Sequence, residues 1–199
     1  MPDSLSRCFF RPDTRLARRI VLIAGGSLIA GAIGRKPAFA DDDAANGAPV
    51  APDRLAAHPP KPMPALSFAD AGGTAHALAD YVGKPVILHL WATWCPPCVT
   101  ELPTLARLAP QFEKDGVVVL AVSLDRGGAA KVAPFLTHTG VTTLPPYYDP
   151  TAATAKALDE DALPVTVLID RQGREVARRS GPVLWEAPGA EEALRHLLG

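Results

Sequence analysis

Two cysteines stand three positions apart in the stretch WATWCPPCVTELP, Trp91–Pro103, with two prolines between them. They are Cys95 and Cys98, and the third cysteine of the chain, Cys8, lies far upstream. On a helix this spacing brings both side chains to one face, a single turn apart. The pair can therefore alternate between dithiol and disulfide with little backbone movement, which is the chemistry of thiol–disulfide exchange.

Two other uses of such a pair are weaker. A structural disulfide across so short a loop removes little loop entropy from the unfolded chain. A structural zinc site needs four ligands, and four other histidines do not cluster with the pair in the sequence: His58, His76, His138 and His196. We expect no metal and no other cofactor, and we keep a copper-binding metallochaperone module as the alternative from another class.

The apolar run Pro85–Ala92 predicts a buried strand, so Cys95 falls at the start of the helix that follows. The first N–H groups of a helix carry partial positive charge and stabilise a thiolate, the reactive form. We expect Cys95 to be the exposed attacking thiol and Cys98, one turn inside, to be the resolving thiol. Because Pro96 and Pro97 lack an N–H, the donor left near the Cys95 sulfur is mainly that of Cys98. We hypothesise a less stabilised thiolate and therefore a reducing pair.

Apolar runs and helical patterns along the chain predict one mixed sheet covered by helices, an α/β fold. The expected strands, besides the run before Cys95, are a hairpin about Gly72–Gly73 and residues 117–125, 165–170 and 174–180. The expected helices are residues 96–114, with a kink at Pro103, and residues 131–139, 151–158 and 190–198.

Residues 1–40 have the three parts of a secretion signal. Arg18 and Arg19 stand in a basic front, Ile20–Ile33 is apolar, and Ala38–Ala40 offers small residues for cleavage. The apolar run is shorter than the roughly 20 residues of a membrane-spanning helix. We expect cleavage after residue 40 and a periplasmic protein, with an uncleaved inner-membrane anchor as the alternative. The paired arginines leave open whether the signal is of the twin-arginine or the ordinary type.

Residues 41–62 are rich in Ala, Pro and Asp and predict a flexible linker, with an arm packed on the domain as the alternative. Residues 63–199 then form the folded domain. Seven of the chain's 20 basic residues and two of its 21 acidic residues lie in 1–40, so the remainder has 13 and 19 and a net charge of −6. This balance argues against a basic surface for nucleic acid or for an anionic membrane.

The stretch LWATWCPPCVTELP resembles the active site of the thioredoxin fold in its exported TlpA/ResA-like branch, and the resemblance covers most of residues 64–199. Trp91 and Trp94 precede the cysteines as in thioredoxins, and Pro103 matches the family's kinking proline. ALPVTVLIDRQGRE resembles the segment that carries the family's cis-proline, here Pro164, and GPVLWEAP resembles a tail of TlpA-type proteins. The resemblance implies an α/β thioredoxin-like fold with a central mixed β-sheet flanked by α-helices.

The resemblance also implies roles for single residues. Cys95, Cys98 and Glu101 are expected to be catalytic, with Glu101 handling protons or holding a cysteine pKa up; the alternative is a solvated glutamate on the helix face. Substrate contacts are expected from four residues: Trp94, Pro96, Leu163 and Pro164. His89 stands where the family has Asp or Asn, and is either a proton relay or a buried imidazole bonded to a carbonyl. Val165 replaces the Thr that usually follows the cis-proline.

By the same resemblance, we expect a thiol–disulfide oxidoreductase that reduces disulfides of exported client proteins. Its clients would belong to the maturation of cytochrome c or of the copper site of cytochrome oxidase. A membrane thiol carrier of the DsbD/CcdA type would resupply its electrons. The alternative is the opposite direction, a DsbA-like thiol oxidase or isomerase, because one fold serves both. A monomer without a nucleic-acid partner is expected.

Overall fold

Eight segments of the chain form one mixed β-sheet in the computed structural model, which describes residues 49–199. In chain order the strands are β1 Ala56–Pro62, β2 Ser67–Ala69, β3 Ala75–Ala77, β4 Val86–Trp91, β5 Val118–Ser123, β6 Pro146–Tyr148, β7 Val165–Ile169 and β8 Arg174–Ser180. Across the sheet the order is β1-β8-β7-β4-β5-β6-β2-β3. The β4–β5 and β5–β6 pairs are parallel, and the other neighbours are antiparallel. The predicted central mixed sheet is confirmed.

Helices connect and cover these strands. They are α1 Pro96–Lys114, α2 Gly128–Thr139, α3 Ala153–Ala157 and α4 Ala190–Leu198, with 3-10 turns at Pro52–Arg54 and Leu78–Tyr81. The long helix α1 contains Pro103, as predicted, and also Pro110. Helix α2 begins three residues before its predicted start, and α3 is shorter than the predicted 151–158. The α/β fold expected from the sequence is therefore correct, with differences at element ends.

Alternate side chains of the central strand β4 lie on the face of the sheet that α1 covers. All six of its residues are buried, and successive side chains point to opposite faces of the sheet. Ile87 and Trp91 belong to the apolar cluster that includes side chains of α1, α2 and α4. Leu88 and Leu90 belong to the second cluster, with side chains of α3 and of the β2–β3 hairpin. His89 has the parity of Ile87 and Trp91, so it faces α1.

The expectation of a flexible linker over 41–62 is wrong for its second half. Ala56–Pro62 pairs with β8 as an edge strand, so this part is the packed arm that was the alternative. Prolines are tolerated in an edge strand because the missing N–H does not interrupt a ladder on both sides. The start of the linker and the predicted secretion signal lie outside the described residues. Between residues 49 and 199 no helix combines the length and the apolar character that a membrane crossing requires.

Candidate active site

Cys95 and Cys98 form a disulfide at the N-terminus of α1, with 5.3 Å between their Cα atoms. Cys95 is the N-cap residue and has extended backbone geometry, and Pro96 is the first residue of the helix. The Cys98 N–H donates to the Cys95 sulfur at 3.3 Å. The helix start and this donor lie where the sequence predicted them. The arrangement directs the positive end of α1 at the Cys95 sulfur, which favours a thiolate there.

The expected exposure of Cys95 is not found in the disulfide form. Cys95 is 4% exposed and Cys98 is 0% exposed, and both belong to the apolar cluster on the α1 face. The reason is that the Cys95 sulfur turns inward to bond Cys98. The neighbouring Trp94 is 66% exposed, and Pro96 is exposed as well. Trp94 and Pro96 therefore form the exposed surface beside the buried disulfide.

A buried aspartate fixes the loop that carries Trp94 and Cys95. Asp125 follows β5, is 2% exposed, and accepts hydrogen bonds from the Thr93 N–H at 2.8 Å and the Thr93 hydroxyl at 2.6 Å. The Ser123 hydroxyl donates to the same carboxylate at 2.9 Å. The sequence analysis did not single out Asp125. The signal available was its place at the last position of the strand predicted over residues 117–125, since functional groups often gather at the carboxyl ends of parallel strands.

Pro164 lies at the same end of the sheet as the cysteines. The Leu163–Pro164 peptide bond is cis, as predicted. Strand β7 runs antiparallel to β4 with Val165 opposite Leu90, so the start of β7 adjoins the end of β4. The Gly181 N–H donates to the Pro164 carbonyl at 2.8 Å. Leu163 is partly buried and packs against both apolar clusters.

Glu101 is buried, so the solvated helix-face alternative is wrong. It lies one turn after Cys98, is 6% exposed, and its Oε2 accepts a hydrogen bond from the Val183 N–H at 2.7 Å. Burial raises the pKa of the Glu101 carboxyl to about 7, although the Val183 N–H and the Trp185 indole favour the charged form. A carboxyl with such a pKa can take or give a proton near neutral pH.

His89 meets Glu101 from the strand side. Its Nε2 lies 3.5 Å from the Glu101 Oε1, and its Nδ1 lies 3.1 Å from the Thr166 hydroxyl. The ring is 0% exposed and packs edge-on against Trp185, with 6.1 Å between ring centroids. Burial lowers the pKa of His89 to about 3. The ring is therefore a neutral imidazole, and its recorded partner is a hydroxyl, where the sequence alternative named a carbonyl.

The segment after β8 completes the site. Val183 pairs with Val50 in an isolated parallel bridge, and it places its N–H on the Glu101 carboxylate. Trp185, 1% exposed, closes the space beside His89. The sequence analysis recognised this segment as a family-like tail but assigned its residues no role. Val183 and Glu101 are 82 residues apart, so no local pattern connects them.

Comparison with known proteins gives consistent relatives. The Redoxin family profile matches residues 59–194. Thiol-disulfide oxidoreductase ResA of Geobacillus thermodenitrificans is 37% identical over 111 residues, 56% of this chain and 63% of that protein. ResA of Bacillus thuringiensis subsp. konkukian is 31% identical over 121 residues, 61% of this chain and 69% of that protein. The match to the Geobacillus protein thus spans less than two thirds of its length.

A solved structure supports the fold. A thiol:disulfide interchange protein of the thioredoxin family from Chlorobium tepidum superposes with a TM-score of 0.58 and 22% identity. The superposition covers 72% of this chain and 100% of that one. At this identity the likeness establishes a thioredoxin-like fold, in agreement with the mixed sheet and its flanking helices.

Proposed function

The chain belongs to the Redoxin family, as a thioredoxin-fold protein of the ResA/TlpA-like type, and from this premise we propose that it is an exported thiol–disulfide oxidoreductase that reduces disulfides in client proteins. The observation that carries the proposal is the Cys95–Cys98 disulfide on the N-terminus of α1. A pair at a helix start combines a stabilised attacking thiolate with a second thiol one turn away.

The reaction proceeds in two exchanges. The Cys95 thiolate attacks one sulfur of a client disulfide, forms a mixed disulfide with it, and expels the other client sulfur as a thiolate. Cys98, once deprotonated, attacks the Cys95 sulfur and expels the second client thiolate. The client gains two electrons and, after protonation, two protons, and the protein loses the same number to become the Cys95–Cys98 disulfide.

The proposed direction is reduction because of the two prolines. Pro96 and Pro97 supply no N–H to the Cys95 sulfur, and the recorded donor is the Cys98 N–H. Fewer donors stabilise the thiolate less, and a less stable reduced form gives its electrons away more readily. A reduction potential measured against glutathione tests this: a value near thioredoxin's, about −270 mV, supports a reductase, and one near about −120 mV indicates a DsbA-like oxidase.

Glu101 and His89 are proposed to manage the proton of the resolving step. Cys98 has to lose a proton before it attacks, in a site closed to solvent. Glu101, with a pKa of about 7, is suited to accept that proton. His89 lies next to the Oε1 atom of the Glu101 carboxyl, and its other ring nitrogen contacts the Thr166 hydroxyl. The proposed relay therefore continues from Glu101 through His89 to Thr166.

Activity is tested with purified protein and an insulin or peptide disulfide. Reduced wild-type protein is expected to exchange thiols with the substrate, Cys95→Ser to be inactive, and Cys98→Ser to stop at a stable mixed disulfide. Exchange by Cys95→Ser at the wild-type rate would overturn the proposal. Stoichiometric copper binding without any exchange by the wild type would favour the metallochaperone alternative instead.

Clients and electron donor are tested in cells. We propose that the protein acts in the periplasm on apocytochrome c or on copper-site cysteines of cytochrome oxidase, with a DsbD/CcdA-type membrane carrier as donor. Cys98→Ser is expected to accumulate mixed disulfides with these clients, and the double variant Cys95→Ser/Cys98→Ser serves as the matched control. Mass spectrometry of the captured partners identifies them, and fractionation of the cells reports whether the protein is exported.

A further inference from the structure

A parallel bridge joins Val50, which lies just before the first 3-10 turn, to Val183 in the segment after β8. The Val50 N–H donates to the Pro182 carbonyl at 3.2 Å, and the Leu184 N–H donates to the Val50 carbonyl at 2.8 Å. Both hydrogen bonds therefore go to the two neighbours of Val183. Val50 is 5% exposed and Val183 is 2% exposed, so the bridge lies in the protein interior.

The bridge determines the direction in which the Val183 N–H points. When both neighbours of a residue bond the partner strand of a parallel pairing, the residue's own N–H and carbonyl face the opposite side. On that side the Val183 N–H donates to the Oε2 atom of Glu101 at 2.7 Å. Val50 and Glu101 thus lie on opposite sides of one backbone segment, and the bonds to Val50 orient the donor that Glu101 receives.

Val50 is held in turn by the arm that follows it. Residues 52–54 form the 3-10 turn, and Ala56–Pro62 pairs with β8. Between them Leu55, 4% exposed, belongs to the apolar cluster that contains Cys95 and Cys98. The arm is therefore anchored both to the sheet and to the core beneath the cysteines, and it gives the bridge a fixed support.

The charged form of Glu101 depends on this donor. The side chain is 6% exposed, and its Oε1 atom has no hydrogen-bond partner in the part of the chain that the structure describes. A buried carboxylate is stabilised by the hydrogen bonds it accepts, because water no longer solvates it. Besides the Val183 N–H, the Trp185 indole favours the charged form. If the Val183 N–H turned away, the neutral form of Glu101 would gain over the charged one.

Other ionisable side chains lie on the elements around Glu101. They are Cys95 and Cys98 on α1, His89 on β4, Arg179 on β8 and Glu186 in the segment after β8. His89 lies 3.5 Å from the carboxyl, and Arg179 lies on the same face of the sheet two strands from His89. The side chains that α4 buries are apolar. Val50 carries no charge, so its replacement leaves all of these groups in place.

We propose that Val50 is a positioning residue of the thiol-exchange site, which acts through Val183 to keep Glu101 able to accept the proton of Cys98. The proposal rests on the proposed function and adds that the arm is part of the proton-accepting machinery. Its effect belongs to the resolving step, because the first attack by the Cys95 thiolate requires no proton acceptor.

Two variants break the bridge from its two sides. Val50→Pro removes the N–H that bonds Pro182, and Leu184→Pro removes the N–H that bonds Val50. Leu184 is 49% exposed, so its replacement leaves the core filled. Isotope-edited NMR of the glutamate carboxyl carbons follows the titration of Glu101 in the oxidised full chain, and Glu101→Gln identifies its signal. Both bridge variants are expected to raise the titration midpoint by roughly one pH unit, as expected when a charged group loses a hydrogen bond.

The reaction of the reduced protein with the chromogenic disulfide DTNB gives the second measurement. The first thionitrobenzoate is released when Cys95 attacks, and the second when Cys98 resolves the mixed disulfide. The bridge variants are expected to keep the rate of the first phase and to shift the pH profile of the second phase upward by the same amount. In a Glu101→Gln background, Val50→Pro is expected to leave that profile unchanged, whereas a general loss of packing would slow both backgrounds equally.

Ala51→Pro is the matched control. The φ angle of Ala51 is −70°, which suits proline, and its N–H has no recorded hydrogen bond within residues 49–199. It is expected to titrate like the wild type. An unchanged or lowered Glu101 midpoint in both bridge variants overturns the proposal, and so does an equal rise in Ala51→Pro.

The two measurements separate this proposal from the proposed function. Failure of the wild type to react with DTNB would overturn the proposed function, whereas the NMR titration would still report whether Val50 holds the donor on Glu101. Urea unfolding shows whether each variant is folded. Should Val50→Pro fail to fold, Leu184→Pro decides the proposal, because it breaks the same bridge from an exposed position.

Discussion

The Nε2 atom of His89 lies 3.5 Å from the Oε1 atom of Glu101, and both side chains are shielded from solvent. Neither of these two atoms has a hydrogen-bond partner in the described part of the chain. Burial lowers the pKa of His89 to about 3 and raises that of Glu101 to about 7, so a neutral acid faces a neutral imidazole below about pH 7. Below that pH the Glu101 carboxyl therefore keeps its proton at the contact between the central strand and the active-site helix.

Glu101→Gln is expected to change how stability depends on pH between about 4.5 and 7. The folded-state pKa of Glu101, about 7, lies above its ordinary value of 4.5, so the folded protein binds this proton more tightly than the unfolded chain. The contribution of Glu101 to the free energy of unfolding therefore falls as pH rises from about 4.5 through 7, by up to about 3 kcal/mol. Urea unfolding of the oxidised protein across pH measures it: Glu101→Gln lacks this fall, whereas Glu113→Gln on the same helix keeps it. Parallel curves for the wild type and Glu101→Gln would contradict the raised pKa.

His89→Asn is expected to act on the acid side. The folded-state pKa of His89, about 3, lies below its ordinary value of 6.5, so the unfolded chain binds this proton more tightly. The contribution of His89 to the free energy of unfolding then falls as pH drops from about 6.5 toward 3, and asparagine removes that contribution. The same unfolding series measures the effect, with the exposed His138→Asn as control. If His138→Asn flattens the acid limb as much as His89→Asn does, the burial of His89 is not its cause.

Pro97→Ala is expected to make the cysteine pair more oxidising. Pro97 is the second residue of α1, and the N–H of this position is one of the two that an N-cap side chain normally binds. Alanine restores that N–H beside the Cys95 sulfur, lowers the pKa of the Cys95 thiol, and raises the reduction potential by roughly 20–40 mV. Glutathione equilibration and thiolate absorbance measure both quantities. Pro110→Ala, in the same helix but far from the sulfur, is expected to leave the potential unchanged.

Thr93→Val is expected to loosen the loop before the cysteines. It removes the hydroxyl that donates to Asp125 at 2.6 Å and leaves a buried carboxylate with one donor fewer. The cost is about 1–3 kcal/mol of unfolding free energy, together with a slower reaction of the reduced pair with client disulfides. Thr137→Val removes an exposed hydroxyl bond on α2 and is the matched control. A wild-type exchange rate in Thr93→Val would show that this anchor does not position Cys95.

Arg178→Met is expected to destabilise the packing of the segment that precedes Pro164, which contains Leu158 and Glu160. The guanidinium bonds the Leu158 carbonyl at 2.7 Å and Glu160 at 2.9 Å, and it pairs with Glu175, which is 1% exposed. Its removal leaves Glu175 with fewer partners. The free energy of unfolding is expected to fall by about 2 kcal/mol, a value between those typical of exposed and of buried ion pairs. Arg174→Met, more exposed on the same strand, is expected to cost less. Thermal or urea unfolding ranks the stabilities of the two variants. A larger loss in Arg174→Met than in Arg178→Met would contradict the proposed role of the Arg178 contacts.

Local patterns predicted the parts of the site that lie close together in the chain. The apolar run of β4 and the helix that begins after Cys95 each rest on a short stretch of sequence, and the cis bond at Pro164 was expected from the resemblance of another such stretch to the family's segment. The hydrogen bond from Val183 to Glu101 does not, because it joins residues 82 positions apart. The pairing of β1 with β8 was missed for a similar reason, since its prolines are typical of loops and its partner lies more than a hundred residues away.

Short elements were not predicted from the sequence, for a different reason. Strand β6 has three residues and begins with Pro146, which gives no alternation to detect. The relation between His89 and Glu101 was also not foreseen, although each was considered singly. The contact depends both on which face of β4 carries His89 and on which face of α1 carries Glu101. The two faces meet only when the helix packs on the sheet.

The prolines of β1 have a consequence for how the borders of the sheet meet other chains. Three of its seven residues, Pro59, Pro60 and Pro62, have no N–H to offer, so the outer rim of the sheet is a poor template for a further strand. At the opposite rim, β3 is only three residues long. Another polypeptide thus finds few free backbone groups to pair with at either border of the sheet, which disfavours aggregation through added strands.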